Sequence, residues 1–255
     1  MLTAALAIPV VAGAVFAPTP WAIVGLLAAC LLLCSWELGG LLGFDGRIAL
    51  ALGAAGAAAT AGVLSLPQGA PWIAPALWAA GIWACTRASA WKALGFLWVA
   101  VPLTFLAYYR FALPAREFAS ILGALLMAQW AGDIAAMIVG KRFGRRKLAP
   151  LLSPGKTVEG AVGNVAASVA VAALAAWLLG WPWSLGAILG IATGVMGQVG
   201  DLFESALKRK AGVKDSGSLL PGHGGLLDRI DSLLFSAMAF GVPAFLILHA
   251  RSVGP

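Results

Sequence analysis

A succession of apolar runs, each of roughly twenty residues, occupies most of this chain. Side chains in such runs are at home in hydrocarbon, where no water can reach the peptide groups. Every backbone N–H and C=O must then be paired inside the segment or around a closed barrel. These runs are too long for the strands of about ten alternating residues that build a barrel. Composition agrees: 61% of the 255 residues are hydrophobic and 11% are charged, against roughly 25% charged in a soluble domain. The expected fold is all-α, a polytopic membrane bundle of about nine transmembrane helices with no sizeable soluble domain.

The spacing predicts helices over 2–17, 21–42, 47–66, 70–86, 91–113, 118–140, 158–180, 183–208 and 228–250. The punctuation between them is turn-like: Ala17-Pro-Thr-Pro20, Leu66-Pro-Gln-Gly-Ala-Pro71, Leu113-Pro114 and Gly180-Trp-Pro-Trp183. Trp21, Trp72, Trp91, Trp181 and Trp183 fall near helix ends, where an indole can face the membrane interface. The first run lacks the basic flank of a signal peptide and reads as a first spanning helix. Residues 1–117 form an expected N-terminal region of about five helices. Residues 118–255 form a C-terminal region with two polar loops, 141–158 and 209–227.

Loop charge gives an orientation. The connections after the second, fourth, sixth and eighth helices carry Arg47; Arg87 and Lys92; Lys141, Arg142, Arg145, Arg146, Lys147 and Lys156; and Lys208, Arg209, Lys210 and Lys214. The other connections are poor in cations, with Arg110, Arg116 and Arg251 as exceptions. The positive-inside rule then places the N-terminus and both long loops in the cytoplasm and the C-terminus outside. The net charge of +7 belongs to these loops and does not argue for a nucleic-acid partner. The three cysteines, Cys30, Cys34 and Cys85, lie in or at the end of apolar runs and read as small hydrophobes.

Chemistry has few places to reside. Five of the ten acidic residues, Asp201, Glu204, Asp215, Asp228 and Asp231, fall between positions 201 and 231. Asp201 and Glu204 end one helix three residues apart, with Ser205 and Lys208 further round that face. Asp228 and Asp231 begin the next helix at the same spacing. Carboxylates, cations and glycines packed between apolar segments suit Mg²⁺ and phosphate. Capping and surface salt bridges explain each pair alone equally well, but not the whole with Gly222-His223-Gly224-Gly225. The earlier loop holds Ser153-Pro-Gly-Lys156-Thr157. Pro150 stands where a P-loop needs its first glycine, so a P-loop is excluded. Ser153 or Thr157 can still start a helix whose dipole faces an anion. Asp133 is embedded in an apolar run, where an unpaired carboxylate costs about 2.5–3.5 kcal/mol by insertion scales. Glu37 is similarly placed, and a structural pairing explains it as well as a functional one.

These residues, in this order, resemble the signature of the phosphatidate cytidylyltransferase (CDP-diacylglycerol synthase) family. The signature is carried by Ser205, Lys208-Arg209, Lys214-Asp215, His223-Gly224-Gly225 and Asp228-Arg229-Ile230-Asp231. Gly200-Asp201-Leu-Phe-Glu204, the Ser153–Thr157 segment with Glu159, and Asp133 add to it. The similarity covers roughly 129–236, and Val158 and Ile134 stand where the family often has Trp and a hydroxylated residue. The resemblance implies transfer of the cytidylyl group of CTP to phosphatidic acid, giving CDP-diacylglycerol and pyrophosphate. It implies a multi-pass protein of a bacterial-type inner membrane whose active site faces the cytoplasm, and a Mg²⁺ cofactor, with room for a second cation such as K⁺. By the same resemblance Asp201, Asp228 and Asp231 serve the metal. Lys156, Lys208, Arg209, Lys214 and Arg229 hold phosphates, Asp215 orients Lys214 or meets the metal, and His223, Gly224 and Gly225 shape the nucleotide loop. Asp133, Ser153, Thr157 and Ser205 belong to the substrate cavity. A homodimer is compatible with the sequence, though no segment announces an interface.

Three other classes compete. Cytidylyl transfer to another lipid phosphate, such as an archaeal-type ether lipid, is opposed by the full bacterial-type signature. A transporter needs charges through both membrane halves, whereas the acidic residues gather at one side. A non-catalytic lipid-binding protein leaves the four carboxylates beside the basic loops without a purpose.

Overall fold

The computed structural model describes residues 2–64, 90–219 and 224–241, and these are mostly helical. The helices are α1 (Leu2–Phe16), α2 (Trp21–Leu41), α3 (Gly46–Leu64), α4 (Ala90–Ala112), α5 (Ala115–Phe143), α6 (Val158–Leu178), α7 (Trp183–Lys210) and α8 (Leu227–Ser236), the last followed by a 3₁₀ turn over Ala237–Phe240. Among them α2, Leu94–Ala112 of α4, α5, α6 and α7 are long and apolar enough to cross a membrane. The expected helix 70–86 lies outside the described residues, as does the end of the expected helix 228–250. Among the described residues the structure departs from an all-α chain in one place. Two short strands, β1 (Lys147–Ala149) and β2 (Ser153–Thr157), pair antiparallel with Lys147 opposite Thr157 and Ala149 opposite Ser153. They occupy what the sequence presents as a loop.

The chain divides into two compact units. The first comprises Met1–Phe118 and Ala211–Ile230. Here α2 ends in a Schellman arrangement, with the Phe44 amide bonded to the Gly39 carbonyl at 2.8 Å and Gly43 to Gly40 at 3.3 Å. Asp45 then caps α3, its side chain accepting from the Arg47 amide at 2.7 Å. Small residues let α2 and α3 approach closely, because a methyl added at Gly53 would press on Ser35 and the Leu32 backbone. Leu38, Leu31, Ala49, Phe96 and Val99 fill the core against them. Buried Arg110 donates to the Ala17 carbonyl at 2.9 Å, which gives this cation on the charge-poor side a structural partner.

The second unit comprises Ala119–Lys210 and Asp231–Pro255. It is organised by α6 and α7, joined through a tight turn. Gly180, at φ +74°, supplies the left-handed conformation that ends α6, and Trp181 donates back to Ala176 at 2.8 Å. Along α7, Gly186, Gly190 and Gly194 recur every fourth residue and lie against the α6 backbone near Ala172, Ser168 and Val165. This small-residue stripe is how membrane helices approach in a solvent as apolar as they are. On α5, Met127, Trp130, Ile134, Met137 and Ile138 form an exposed apolar face at helical spacing, as lipid contact requires. Trp21 and Trp183, at the starts of α2 and α7, are exposed as interface indoles should be.

Candidate functional site

In the second unit, five elements bring their polar residues to one place. Asp133 on α5 accepts from Gln129 Nε2 at 3.1 and 3.2 Å, one turn back on the same helix, and from Asn164 Nδ2 of α6 at 3.2 Å. The embedded carboxylate is thus satisfied by two amides, the usual condition for keeping a polar group at such depth. Lys156, on β2, reaches Asp201 near the end of α7, with Nζ 2.5 Å from Oδ2. Ser205 lies one turn further along α7, with its hydroxyl 3.4 Å from Asp201 Oδ1. Lys208 pairs with Glu204 at 2.6 Å, and the Glu204 side chain is only 1% exposed. Asp133 stands in the field of Asp201 and Lys156, and Asp231 in that of Asp201 and Lys208, with Glu204 as a hydrogen-bond partner. Close packing enforces this last approach: a methyl at Gly200 would collide with the Asp231 carbonyl. The second unit therefore gathers Asp133, Lys156, Asp201, Ser205, Lys208 and Asp231.

The β-hairpin is what carries Lys156 to α7. Glu159, in the first turn of α6, accepts from the amides of Arg145 and Arg146 at 3.0 and 3.2 Å and from Arg146 Nε at 3.2 Å, pinning the entry to β1. Lys147 Nζ donates to the Pro154 carbonyl at 2.8 Å across the strands. Thr157 caps α6, its hydroxyl oxygen accepting from the Gly160 amide at 3.1 Å. Its role is therefore to start a helix, whereas Ser153 opens β2 opposite Ala149. Ile134 is exposed, so this departure from the family pattern lies off the face that carries the amides around Asp133.

In the first unit, residues 211–219 and 224–230 fold around two carboxylates. Asp228 accepts from the Ser216 amide at 3.2 and 3.0 Å and from the Gly225 amide at 2.8 Å. Glu37 of α2, 4% exposed, accepts from the amides of Leu226 at 2.9 Å and Leu227 at 2.8 Å, with the Ser216 hydroxyl at 3.5 Å. Gly225 packs so closely that a side chain there would run into both Glu37 oxygens. Gly224, at φ +79°, sits over Asp228 in a conformation that other residues rarely adopt. The two glycines are thus explained by carboxylates beneath them. Lys214, Asp215 and Arg229 are exposed, as is Arg209 in the other unit. His223 lies outside the described residues.

Sequence reading left the role of Glu37 open and did not single out Gln129 or Asn164. The signal was available for all three, since each is a polar residue inside an apolar run, but only the fold shows what each one faces. Among the described residues no three carboxylate, imidazole or thiol groups converge as a ready-made metal cage. Mg²⁺ asks for less, one or two carboxylates with the rest from water and substrate phosphate. Asp201 provides hard oxygen donors, is 36% exposed at its side chain and already attracts a cation in Lys156, so the donor chemistry fits that ion.

Comparison with known proteins bears on the whole chain. Proteins named phosphatidate cytidylyltransferase match parts of it: one from Synechocystis sp. is 54% identical over 110 residues, 42% of this chain and 37% of the relative. One from Bacillus subtilis is 48% identical over 108 residues, 42% of this chain and 40% of the relative. One from Brucella suis is 48% identical over 114 residues, 44% and 42% of the two. The chain therefore spans less than half the length of these curated relatives. The model of the cytidylyltransferase family matches residues 1–246, nearly all of the chain. With a match of that extent, over both helical units and both sets of carboxylates, this membrane protein belongs to the cytidylyltransferase family.

Proposed function

We propose that the chain transfers the cytidylyl group of CTP to phosphatidic acid, giving CDP-diacylglycerol and pyrophosphate. A phosphate oxygen of the lipid attacks the α-phosphorus of CTP, a new P–O bond forms, and the bond to the β-phosphate oxygen breaks as pyrophosphate leaves. The attacking phosphate is already anionic near neutral pH, so no strong base is required. The barrier lies in bringing two anions together, and fixed cations lower it where charge accumulates.

The observation that carries this reading is the meeting of Lys156 with Asp201. It joins the Ser153–Thr157 segment and the Asp201–Lys208 segment in one unit, so that both motifs act at one place. Lys156 and Lys208, each held by a carboxylate, are set to receive phosphate oxygens. Arg209, Lys214 and Arg229 supply further positive charge at exposed positions. Asp201 and Asp231, in the second unit, would hold Mg²⁺, with Asp228 a metal residue by the family resemblance alone; when bound, the ion would neutralise the triphosphate and stabilise the leaving pyrophosphate. Asp133, steadied by Gln129 and Asn164, orients polar groups at the membrane-embedded end of the site. The charge pattern of the loops supports an active site on the cytoplasmic side of an inner membrane.

The test is pyrophosphate release by the purified protein in detergent, supplied with CTP and phosphatidic acid, with and without Mg²⁺. Release that needs both substrates and the metal, and falls by at least about 10²-fold in Asp201→Asn, is the expected result. No release from folded protein, or full release in the variant, overturns the reaction or its site respectively.

A further inference from the structure

The strongest unassigned group in the molecule is Glu37. It is an acid near the end of an apolar helix, 4% exposed, distant in sequence from every signature motif. Among the described residues its carboxylate forms no ion pair. It accepts instead from the amides of Leu226 and Leu227 and lies 3.5 Å from the Ser216 hydroxyl. Those amides open α8, and the first N–H groups of a helix lack partners within it. A carboxylate there satisfies two orphan donors and sits at the positive end of the helix dipole. Leu227 is itself fully buried, so its amide has no water as an alternative partner.

The same carboxylate sets the loop that precedes α8. Methyl groups built at Gly217 and Gly225 would lie within 2.8 Å of Glu37 oxygens, so both backbones rest directly on it. Ser216 and Gly225 in turn donate to Asp228. The order of contacts is Glu37, then the backbone of 216–217 and 225–227, then Asp228. Removing the first member loosens the backbone amides that donate to the last. We infer that Glu37 is a positioning residue for cytidylyl transfer: it clamps Ser216, Gly217 and Gly225–Leu227 to α2 and thereby fixes the direction in which Asp228 is presented. The inference rests on the transfer reaction proposed above only for its kinetic consequence, because the clamp itself is a matter of hydrogen bonds.

Glu37→Gln preserves size but turns one accepting oxygen into an N–H₂ facing an amide donor. Two readouts test it. Hydrogen exchange of the protein in detergent should show faster exchange in peptides covering 214–228, with α3, α4, α6 and α7 unchanged. Pyrophosphate release should show kcat reduced about 10–100-fold, the range for groups that orient a ligand without touching substrate, at unchanged KM for phosphatidic acid and in excess of any loss of folded protein that the lower Tm of the variant brings. Gly225→Ala, which pushes the loop off Glu37 from the other side, should reproduce both effects and serves if Glu37→Gln does not fold. Unchanged exchange at 214–228 in both variants overturns the clamp. Activity lost only in proportion to lost folded protein, with α2–α4 exchanging faster throughout, shows Glu37 to be a core residue and also overturns it. If the unaltered protein releases no pyrophosphate, the reaction is wrong and the exchange experiment alone decides the clamp.

Discussion

Individual side chains in this molecule are fixed by the need to satisfy polar groups away from water. Asp133 is the clearest case. Gln129 and Asn164 both present N–H₂ groups to it at 3.1–3.2 Å. Asp133→Asn keeps one accepting oxygen, and its N–H₂ is served only if Gln129 or Asn164 turns to present its own amide oxygen. The expected cost is about 1 kcal/mol, the net worth of one hydrogen bond, read as a lower Tm in detergent, and Asp133→Glu should recover less than half. Lys156 provides a second test. Lys156→Met removes the cation from Asp201 and should lower kcat/KM by about 10²-fold or more. Lys156→Arg keeps the charge but replaces a compact ammonium by a planar fork, and should recover only part of that loss. The difference between these two sites marks what was legible in the sequence. Asp201, Ser205 and Lys208 announce themselves by spacing on one helix, and Lys156 by its motif. Glu37 and Asn164 do not, because their partners are far along the chain (Glu37 meets Leu227) and a single polar residue in an apolar run says nothing of what it will face.

Helices were legible where composition and punctuation agreed. The turn at Gly180-Trp-Pro-Trp183 ends α6 and starts α7 within a few residues of the expected bounds, because both a left-handed glycine and a proline act there. The β-hairpin was not legible. Ser153-Pro-Gly-Lys-Thr157 has neither alternation nor β-branched enrichment, and β2 forms because Glu159 and Lys147 tie the ends of the segment together. The glycines of α7 are legible as a stripe but not as a partner choice. The fold supplies that partner as α6, and with it a prediction. A methyl at Gly190 would lie 2.5 Å from Val169 Cα and 2.6 Å from the Ser168 carbonyl oxygen, backbone atoms that cannot rotate aside. Gly190→Ala should destabilise the protein by about 1–3 kcal/mol, the cost of overpacking. Gly123→Ala, where nothing lies within 4 Å, should be neutral or slightly stabilising through helix propensity. Thermal melts of the two variants, side by side, separate packing from propensity.

For the molecule as a whole, the decisive question is which side of the membrane the polar loops occupy. Charge supplies the argument. Lys141, Arg142, Arg145, Arg146 and Lys147 crowd one connection, and Lys208, Arg209, Lys210 and Lys214 another, while the connections after the first, third and seventh expected helices carry no charge. Cations resist translocation and are drawn to anionic headgroups of the inner leaflet, each contributing about 1 kcal/mol near the surface. CTP is a cytoplasmic metabolite, so a cytidylyltransferase requires this orientation, whereas a transporter does not. The hairpin offers a direct probe, because Leu151 at its tip is 91% exposed. In a variant lacking Cys30, Cys34 and Cys85, Leu151→Cys should be silent to a membrane-impermeant maleimide applied to intact spheroplasts and fully labelled once they are lysed. Labelling of intact cells would place the hairpin outside. That would remove Lys156 from CTP and leave the transfer reaction without its nucleotide, whatever the geometry of the site.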